Sequence, residues 1–245
     1  MIIAGPCQHE SLEQSLQIIR VCYPICKIHN VPYVFKASFD KANRSKKDSP
    51  RGLGIRRTNI DFNIIKEEFP ELQILTDIHE PWQAEQLPSV DIFQIPALLS
   101  RQTDLIVAAA ESGKIVNLKK GQFMSPYDTP DMVEKAKGAK EVWVTERGTS
   151  FGYNRLVVDF VGLDYMLNNL DAKIVFDVTH SIQNPGKVDT SPRKSIIPLA
   201  KAGKGLGVEN FFFEVHPNPE EALSDGPNSL RLSDFKKLVT QIKSI

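Results

Sequence analysis

The chain has 245 residues, and its 30 Lys and Arg balance 30 Asp and Glu to a net charge of zero. That balance excludes a general electrostatic grip on nucleic acid or an anionic membrane, so any basic patch has to be local. Three cysteines are too few, and odd in number, for a disulfide framework; no apolar run approaches the ~18 residues of a spanning helix, no basic-then-apolar leader opens the chain, and a soluble cytoplasmic protein is expected.

Short β-branched and aromatic runs bounded by polar residues read as strands. The first is 2–7. Behind Ser11, an N-cap, residues 12–28 place apolar side chains at 12, 16, 18, 19, 22, 25 and 26, the spacing of an amphipathic helix. Cys22 and Cys26 fall on its apolar face and read as packing. The second strand, 33–38, runs into the basic stretch "VFKASFDKANRSKKDSPRG" (34–52), and the helix of that crossover is expected to begin near 59–61. Strands 73–78 and 91–95 follow, then an Ala-rich helix 103–111, strand 115–119, and a helix 129–137 with Pro130 behind a Thr cap. Strands 141–145 and 173–178, a helix 196–206, strand 210–215 and a helix 234–242 complete the chain. Strands alternating with helices predict a parallel sheet with right-handed crossovers. In ~250 residues the economical closure is a single (β/α)8 barrel over 1–245, a TIM barrel, with a doubly wound open sheet as the alternative.

Such barrels carry their sites at the C-terminal strand ends. In strand order those ends offer Cys7; Lys36 and Lys41; Asp77 and His79; Gln94; Lys119 and Lys120; Glu146 and Arg147; Asp177 and His180; Glu214 and His216. The strand starts offer nothing similar. Cations gathered at a barrel mouth cost desolvation unless anions meet them, so an anion site for phosphate or carboxylate is expected. Arg147 can grip such a group bidentately, with Lys36, Lys41 and Lys119 as point charges. Cys7, His180, Glu214 and Asp225 have no local motif spacing, but barrel closure brings the first, seventh and eighth strands together. A thiol, an imidazole and two carboxylates there form a candidate divalent site for Zn²⁺ or Fe²⁺, or for Mn²⁺ or Co²⁺. A small buried core cysteine would look the same in sequence.

Eight segments then carry a resemblance: "IAGPC" (3–7), "FKASFDKANRS" (35–45), "TDIHEP" (76–81), "QIPALLSRQTDL" (94–105), "NLKKGQF" (117–123), "TERGTSFGYNRLVVD" (145–159), "FDVTHSIQNPG" (176–186) and "EVHPNPEEALSDGPNSL" (214–230). In order and in register, they resemble the 3-deoxy-D-manno-octulosonate 8-phosphate synthases. The resemblance implies a (β/α)8 barrel that condenses phosphoenolpyruvate with arabinose 5-phosphate, commonly as a homotetramer, for the inner core of lipopolysaccharide. Cys7 resembles the metal-requiring branch, which implies Cys7, His180, Glu214 and Asp225 as ligands, with His180 and Asp225 also near the reacting water. Lys36, Lys41, Lys119 and Arg147 match phosphoenolpyruvate contacts. Asn43, Arg44 and Ser45 match the sugar-phosphate segment, and Arg101 the arginine that reaches a neighbouring subunit's sugar phosphate. Asp77, Gln94 and Lys120, at strand ends, complete the expected substrate contacts. Asn43 in "KANRS", where the heptulosonate synthases read "KPRTS", favours the five-carbon sugar over erythrose 4-phosphate. Two departures stand out. The sequence opens on the first barrel strand rather than on a plugging hairpin. The loop after strand seven reads "VDTSPRKS" (188–195), with Arg193 retained but Pro192 where the family has flexible glycines, so a phosphate-binding barrel with an impaired lid is the rival reading.

Overall fold

The computed structural model describes residues 1–42, 47–152, 154–184 and 193–245. Eight parallel strands are joined in sequence order, and the first pairs with the eighth, closing the barrel. They are β1 (Ile2–Gly5), β2 (Tyr33–Lys36), β3 (Gln73–Asp77), β4 (Ile92–Ile95), β5 (Ile115–Lys119), β6 (Glu141–Glu146), β7 (Lys173–Asp177) and β8 (Asn210–His216). A two-residue β9 (Leu230–Arg231) extends β8. The helices are α1 (Leu12–Ile28), α2 (Ile55–Glu68), α3 (Thr103–Glu111), α4 (Thr129–Lys135), α5 (Phe160–Asn169), α6 (Val178–Ser181), α7 (Ile196–Leu206) and α8 (Phe235–Lys243). The third crossover uses a 3₁₀ segment, Pro81–Gln86. Among the described residues no helix is long and apolar enough to cross a membrane, and Cys7, Cys22 and Cys26 are all free.

Two local differences from the sequence expectation have physical causes. Helix α2 begins at Ile55, ahead of the expected 59–61. Its N-cap is Gly54 at φ 79 with no side-chain cap, so no Ser, Thr, Asp or Asn marks the start. Helix α5, within "VVDFVGLDYMLNN", was not anticipated. Its β-branched and aromatic start and Gly162 argue against a helix, but Asp159 caps it by accepting from the Gly162 N–H. Gly162 also lets the helix lie against Pro126, whose Cγ would be 2.2 Å from a Cβ there.

The two-residue period of a strand sends alternate side chains to opposite faces. Ile3, Val34, Leu75, Ile92, Ile115, Trp143, Val175 and Phe212, one from each strand, form an apolar layer inside the barrel. Their neighbours Ala4, Phe35, Ile74, Phe93, Val116, Val144, Phe176 and Phe213 face outward and join the helices in the main core. Two residues further along each strand, on the inner phase, come Lys36, Asp77, Gln94, Asn117, Thr145, Asp177 and Glu214, all buried. Gly5 completes this tier on β1, where a Cβ would lie 1.9 Å from the Lys36 carbonyl oxygen. The barrel is therefore apolar below and polar above, and the polar tier opens on the C-terminal face.

Candidate active site

A cavity of ≈380 Å³ opens above that tier, lined by Lys36, Lys41, Asp77, Gln94, Lys119, Arg147, His180 and Asp225 among others. Seven of the residues singled out at the strand ends, Lys36, Lys41, Asp77, Gln94, Lys119, Arg147 and His180, thus converge on one mouth. Phe212, in the apolar layer below, packs under two of its cations: the Lys119 Nζ stands 3.5 Å and the Lys36 Nζ 5.7 Å from the ring centroid.

The four expected cations do not stand as a bare ring. Lys36 donates to Glu214 Oε1 at 2.9 Å and to the Cys7 carbonyl at 2.8 Å. Lys119 pairs with Asp177, and burial lowers its pKa although Asp177 opposes the shift. Lys41 lies 3.6 Å from Asp77 Oδ2. Burial works against that pair, but their attraction outweighs it, raising Lys41 and holding Asp77 well below the usual carboxylate range. Arg147 differs. It is 6% exposed, its Nη2 donates to Gln183 Oε1 at 2.6 Å, and its Nη1 is buried with no hydrogen-bond partner among the described residues. No carboxylate forms an ion pair with it there. A buried guanidinium with a free donor toward a cavity suits an anionic group.

Next to Arg147, one Gln183 away, β1, β7 and β8 build the metal-type corner. Donor atoms of Cys7, His180 and Asp225 lie within 4.8 Å of one another. Cys7 Sγ is 3.1 Å from Asp225 Oδ2 and 3.0 Å from Ser224 Oγ. His180 Nε2 is 3.4 Å from Asp225 Oδ2 and 3.6 Å from Glu214 Oε1. Asp177 caps the short helix α6 and holds His180 Nδ1 at 2.6 Å, so Nε2 is turned toward the cluster. Burial disfavours the charged ring, but Asp177 and Asp225 outweigh it and raise His180 to about 10. Asp225 adopts left-handed backbone, φ 52, which aspartate tolerates better than most residues and which re-aims its carboxylate. Thiol, imidazole and carboxylates converge, the histidine is oriented by a carboxylate, and Glu214 Oε2 is buried without a hydrogen-bond partner among the described residues. This donor set fits a divalent ion of borderline softness.

Several expectations fare otherwise. Asn43, Arg44 and Ser45 lie outside the described residues, as does most of 188–195. Arg193 is described, and it donates to Glu220 Oε1 and the Gly226 carbonyl rather than into the mouth. Arg101 is exposed and lines a separate cavity of ≈470 Å³ with Phe123 and Lys135. Lys120 does not reach the mouth either. One residue past Lys119, it falls on the outward phase, fully buried, donating to the carbonyls of Gly121 and Met124 and to Thr149 Oγ1, 3.5 Å from Glu146. Period-two counting would have separated the two lysines. Sequence reasoning missed Ser38, which bridges Lys41 and Asp77, Gln183, which joins Arg147 to Asp225, and Ser224 beside Cys7. None carries a sequence signal, since each acts through a partner distant in the chain. The basic stretch after β2 divides: Lys36 and Lys41 turn inward, whereas Arg51 pairs with Asp40 at the surface.

Fold and site together define a (β/α)8-barrel protein whose mouth gathers Lys36, Lys41, Lys119 and Arg147 beside a cluster of Cys7, His180 and Asp225. The whole chain, residues 1–245, matches the DAHP synthetase I family. It is 46% identical to a 2-dehydro-3-deoxyphosphooctonate aldolase of Fusobacterium nucleatum, covering 98% of this chain and 87% of that protein. Proteins of the same name from Bradyrhizobium diazoefficiens (45%, 98% and 87% covered) and Desulfotalea psychrophila (43%, 100% and 89%) are similar over the same extent. The chain belongs to the DAHP synthetase I family, alongside relatives that carry the octulosonate name.

Proposed function

We propose that this protein is an enzyme, a transferase that condenses phosphoenolpyruvate with D-arabinose 5-phosphate and water. The products are 3-deoxy-D-manno-octulosonate 8-phosphate and inorganic phosphate, in the supply of the lipopolysaccharide inner core. The observation that carries the reading is the buried, anion-seeking Nη1 of Arg147 in a mouth shared with Lys36, Lys41 and Lys119. Relatives similar over nearly the full chain bear the matching name.

In the reaction the π electrons of phosphoenolpyruvate form a bond from C3 to the aldehyde carbon, whose oxygen takes a proton. Water adds its oxygen to C2 and gives up a proton. The C2–O bond to phosphate then breaks, phosphate leaves with the bridging oxygen, and the C2 hydroxyl gives its proton to the departing phosphate as C2 becomes the ketone. Arg147 grips one anionic group bidentately while Lys36, Lys41 and Lys119 offset the rest, so two phosphorylated substrates share one mouth despite their repulsion. Phe212 and the rest of its apolar layer keep bulk water from below the mouth. Holding the two carbons in line supplies much of the rate. Asp177 holds the His180 imidazole in place on the water side. Cys7, His180, Glu214 and Asp225 would hold a divalent ion, which when bound polarises an oxygen or makes water more acidic.

The reading includes a cytoplasmic homotetramer in which Arg101 serves a neighbouring subunit's sugar phosphate. The exposure of Leu98 and Phe123 near Arg101 supports a partner there.

The test is phosphate release from phosphoenolpyruvate with arabinose 5-phosphate, with erythrose 4-phosphate and with neither, before and after chelation. We expect release with arabinose 5-phosphate, lost on chelation and restored by a divalent ion. Faster release with erythrose 4-phosphate would reassign the sugar. Binding without release would mark a non-catalytic relative, and full activity after chelation would remove the metal.

A further inference from the structure

Inside the barrel, below the mouth, one hydrogen-bonded chain crosses five strands or their ends. Thr145 Oγ1 on β6 meets Asn117 Oδ1 on β5 at 2.6 Å. Asn117 Nδ2 meets Gln94 Oε1 on β4 at 3.0 Å, and Gln94 Nε2 meets Asp77 Oδ1 on β3 at 3.2 Å. From the end of β2, Ser38 Oγ donates to the same Asp77 oxygen at 2.7 Å, and Lys41 Nζ donates to Ser38 at 2.8 Å. Thr145, Asn117 and Ser38 are wholly buried, and Gln94 and Asp77 nearly so. Only Gln94, Asp77 and Lys41 of the set line the mouth.

The direction of every link is forced. Asp77 is held ionised, so it only accepts. Gln94 must therefore turn its NH₂ to Asp77 and its carbonyl to Asn117. Asn117 must then donate to Gln94 and show its own carbonyl to Thr145, whose hydroxyl donates. Turning the Gln94 amide over would set oxygen against carboxylate and NH₂ against NH₂. We infer that Asn117 and Thr145 are positioning residues for the reaction proposed above: from beneath the mouth they fix the Gln94 amide and, through it, the Asp77 carboxylate.

The substrate this arrangement serves follows from hydrogen-bond chemistry. Asp77 Oδ1 is occupied by Ser38 and Gln94, and Oδ2, 3.6 Å from Lys41 Nζ, is left to accept. Phosphoenolpyruvate at neutral pH has no hydroxyl to donate, whereas an aldose phosphate has several. The fixed pair therefore orients the sugar rather than the enol phosphate.

The test uses Asn117→Asp and Thr145→Val, both near-isosteric, with Gln94→Ala and the double variant Asn117→Asp/Gln94→Ala. An ionised carboxylate at 117 still accepts from Thr145 but faces the Gln94 carbonyl with no proton, so the Gln94 amide can no longer satisfy residue 117 and Asp77 together in either orientation. For one misdirected hydrogen bond we expect KM for arabinose 5-phosphate to rise about tenfold, and for Thr145→Val about threefold, with KM for phosphoenolpyruvate within about twofold of wild type. Because Asn117 acts through Gln94, the double variant should be no worse than Gln94→Ala alone. A folded Asn117→Asp with unchanged sugar KM, or losses that multiply in the double variant, overturns the inference. If Asn117→Asp does not fold, Thr145→Val alone and combined with Gln94→Ala decides in the same way. Wild-type enzyme that releases no phosphate with arabinose 5-phosphate overturns the functional reading and this inference with it. An active wild type with indifferent variants overturns this inference alone.

Discussion

Lys119 and Lys120 are neighbours in the chain and sit on opposite faces of the barrel wall. Lys119 faces inward, pairs with Asp177, stands on Phe212 and borders the cavity. Lys120 faces outward, is sealed from solvent, and ties Gly121, Met124 and Thr149 to the fully buried Glu146. Both faces bury charge. Outside, the charges are closed into a fixed pair that holds two loops. Inside, the pairs open on a space where a ligand can change partners, and Arg147 has no carboxylate paired to it among the described residues. Charge on the inner face is thus available for chemistry, while charge on the outer face is committed to structure.

The comparison breaks most readily at its structural side. Replacing Lys120 by Met leaves Glu146 buried without its partner, and burial already pushes that carboxyl's pKa up. We expect a loss of about 3 kcal/mol of stability by denaturant unfolding, with both KM values of the folded enzyme near wild type. A selective rise in one KM would put Lys120 back in the mouth. On the inner face, Arg147→Ala should lower kcat/KM for phosphoenolpyruvate by about 10²–10³ without lowering the melting temperature, because no internal ion pair is broken. A variant that is active but markedly less stable would erase the distinction.

A smaller effect comes from the rim. His79 is buried edge-on to Phe39, with both ring nitrogens unpartnered among the described residues, and burial lowers its pKa from the ordinary 6.5 despite nearby Asp77. Its contribution is present above pH ~6.5 and shrinks as pH falls toward the lowered value, because only the unfolded chain takes up the proton across that window. His9 shifts in the same direction and adds to the loss. Between pH 7.5 and 5.5, wild type should lose about 1 kcal/mol more stability than His79→Gln. Parallel loss in both proteins would mean that His79 finds a partner in solution.

Much of the fold and half of the site were legible from residues alone. All eight strands were found because each is a short β-branched or aromatic run. Helix α1 declared itself through Ser11, which accepts from the Gln14 N–H. Helix α2 was placed late because Gly54 caps it without a side chain, and α5 went unseen because its stability comes from lying on Pro126. Cys7, Lys36, Asp77, Gln94, Lys119, Arg147 and His180 were found because they end strands. Ser38, Gln183 and Ser224 escaped because they are neutral polar residues whose roles come from partners that only the closed barrel brings to them.

The order of strands and the polar character of their C-terminal ends were determined by the sequence itself, since propensity and period-two patterning are local properties. Only the closed barrel decided which cations keep internal carboxylates, that Lys120 belongs to the outer wall, and that Thr145, Asn117 and Gln94 share one directed chain. Those facts depend on side chains far apart in sequence meeting where water is excluded, and there a partner gained or missing is worth kilocalories rather than tenths.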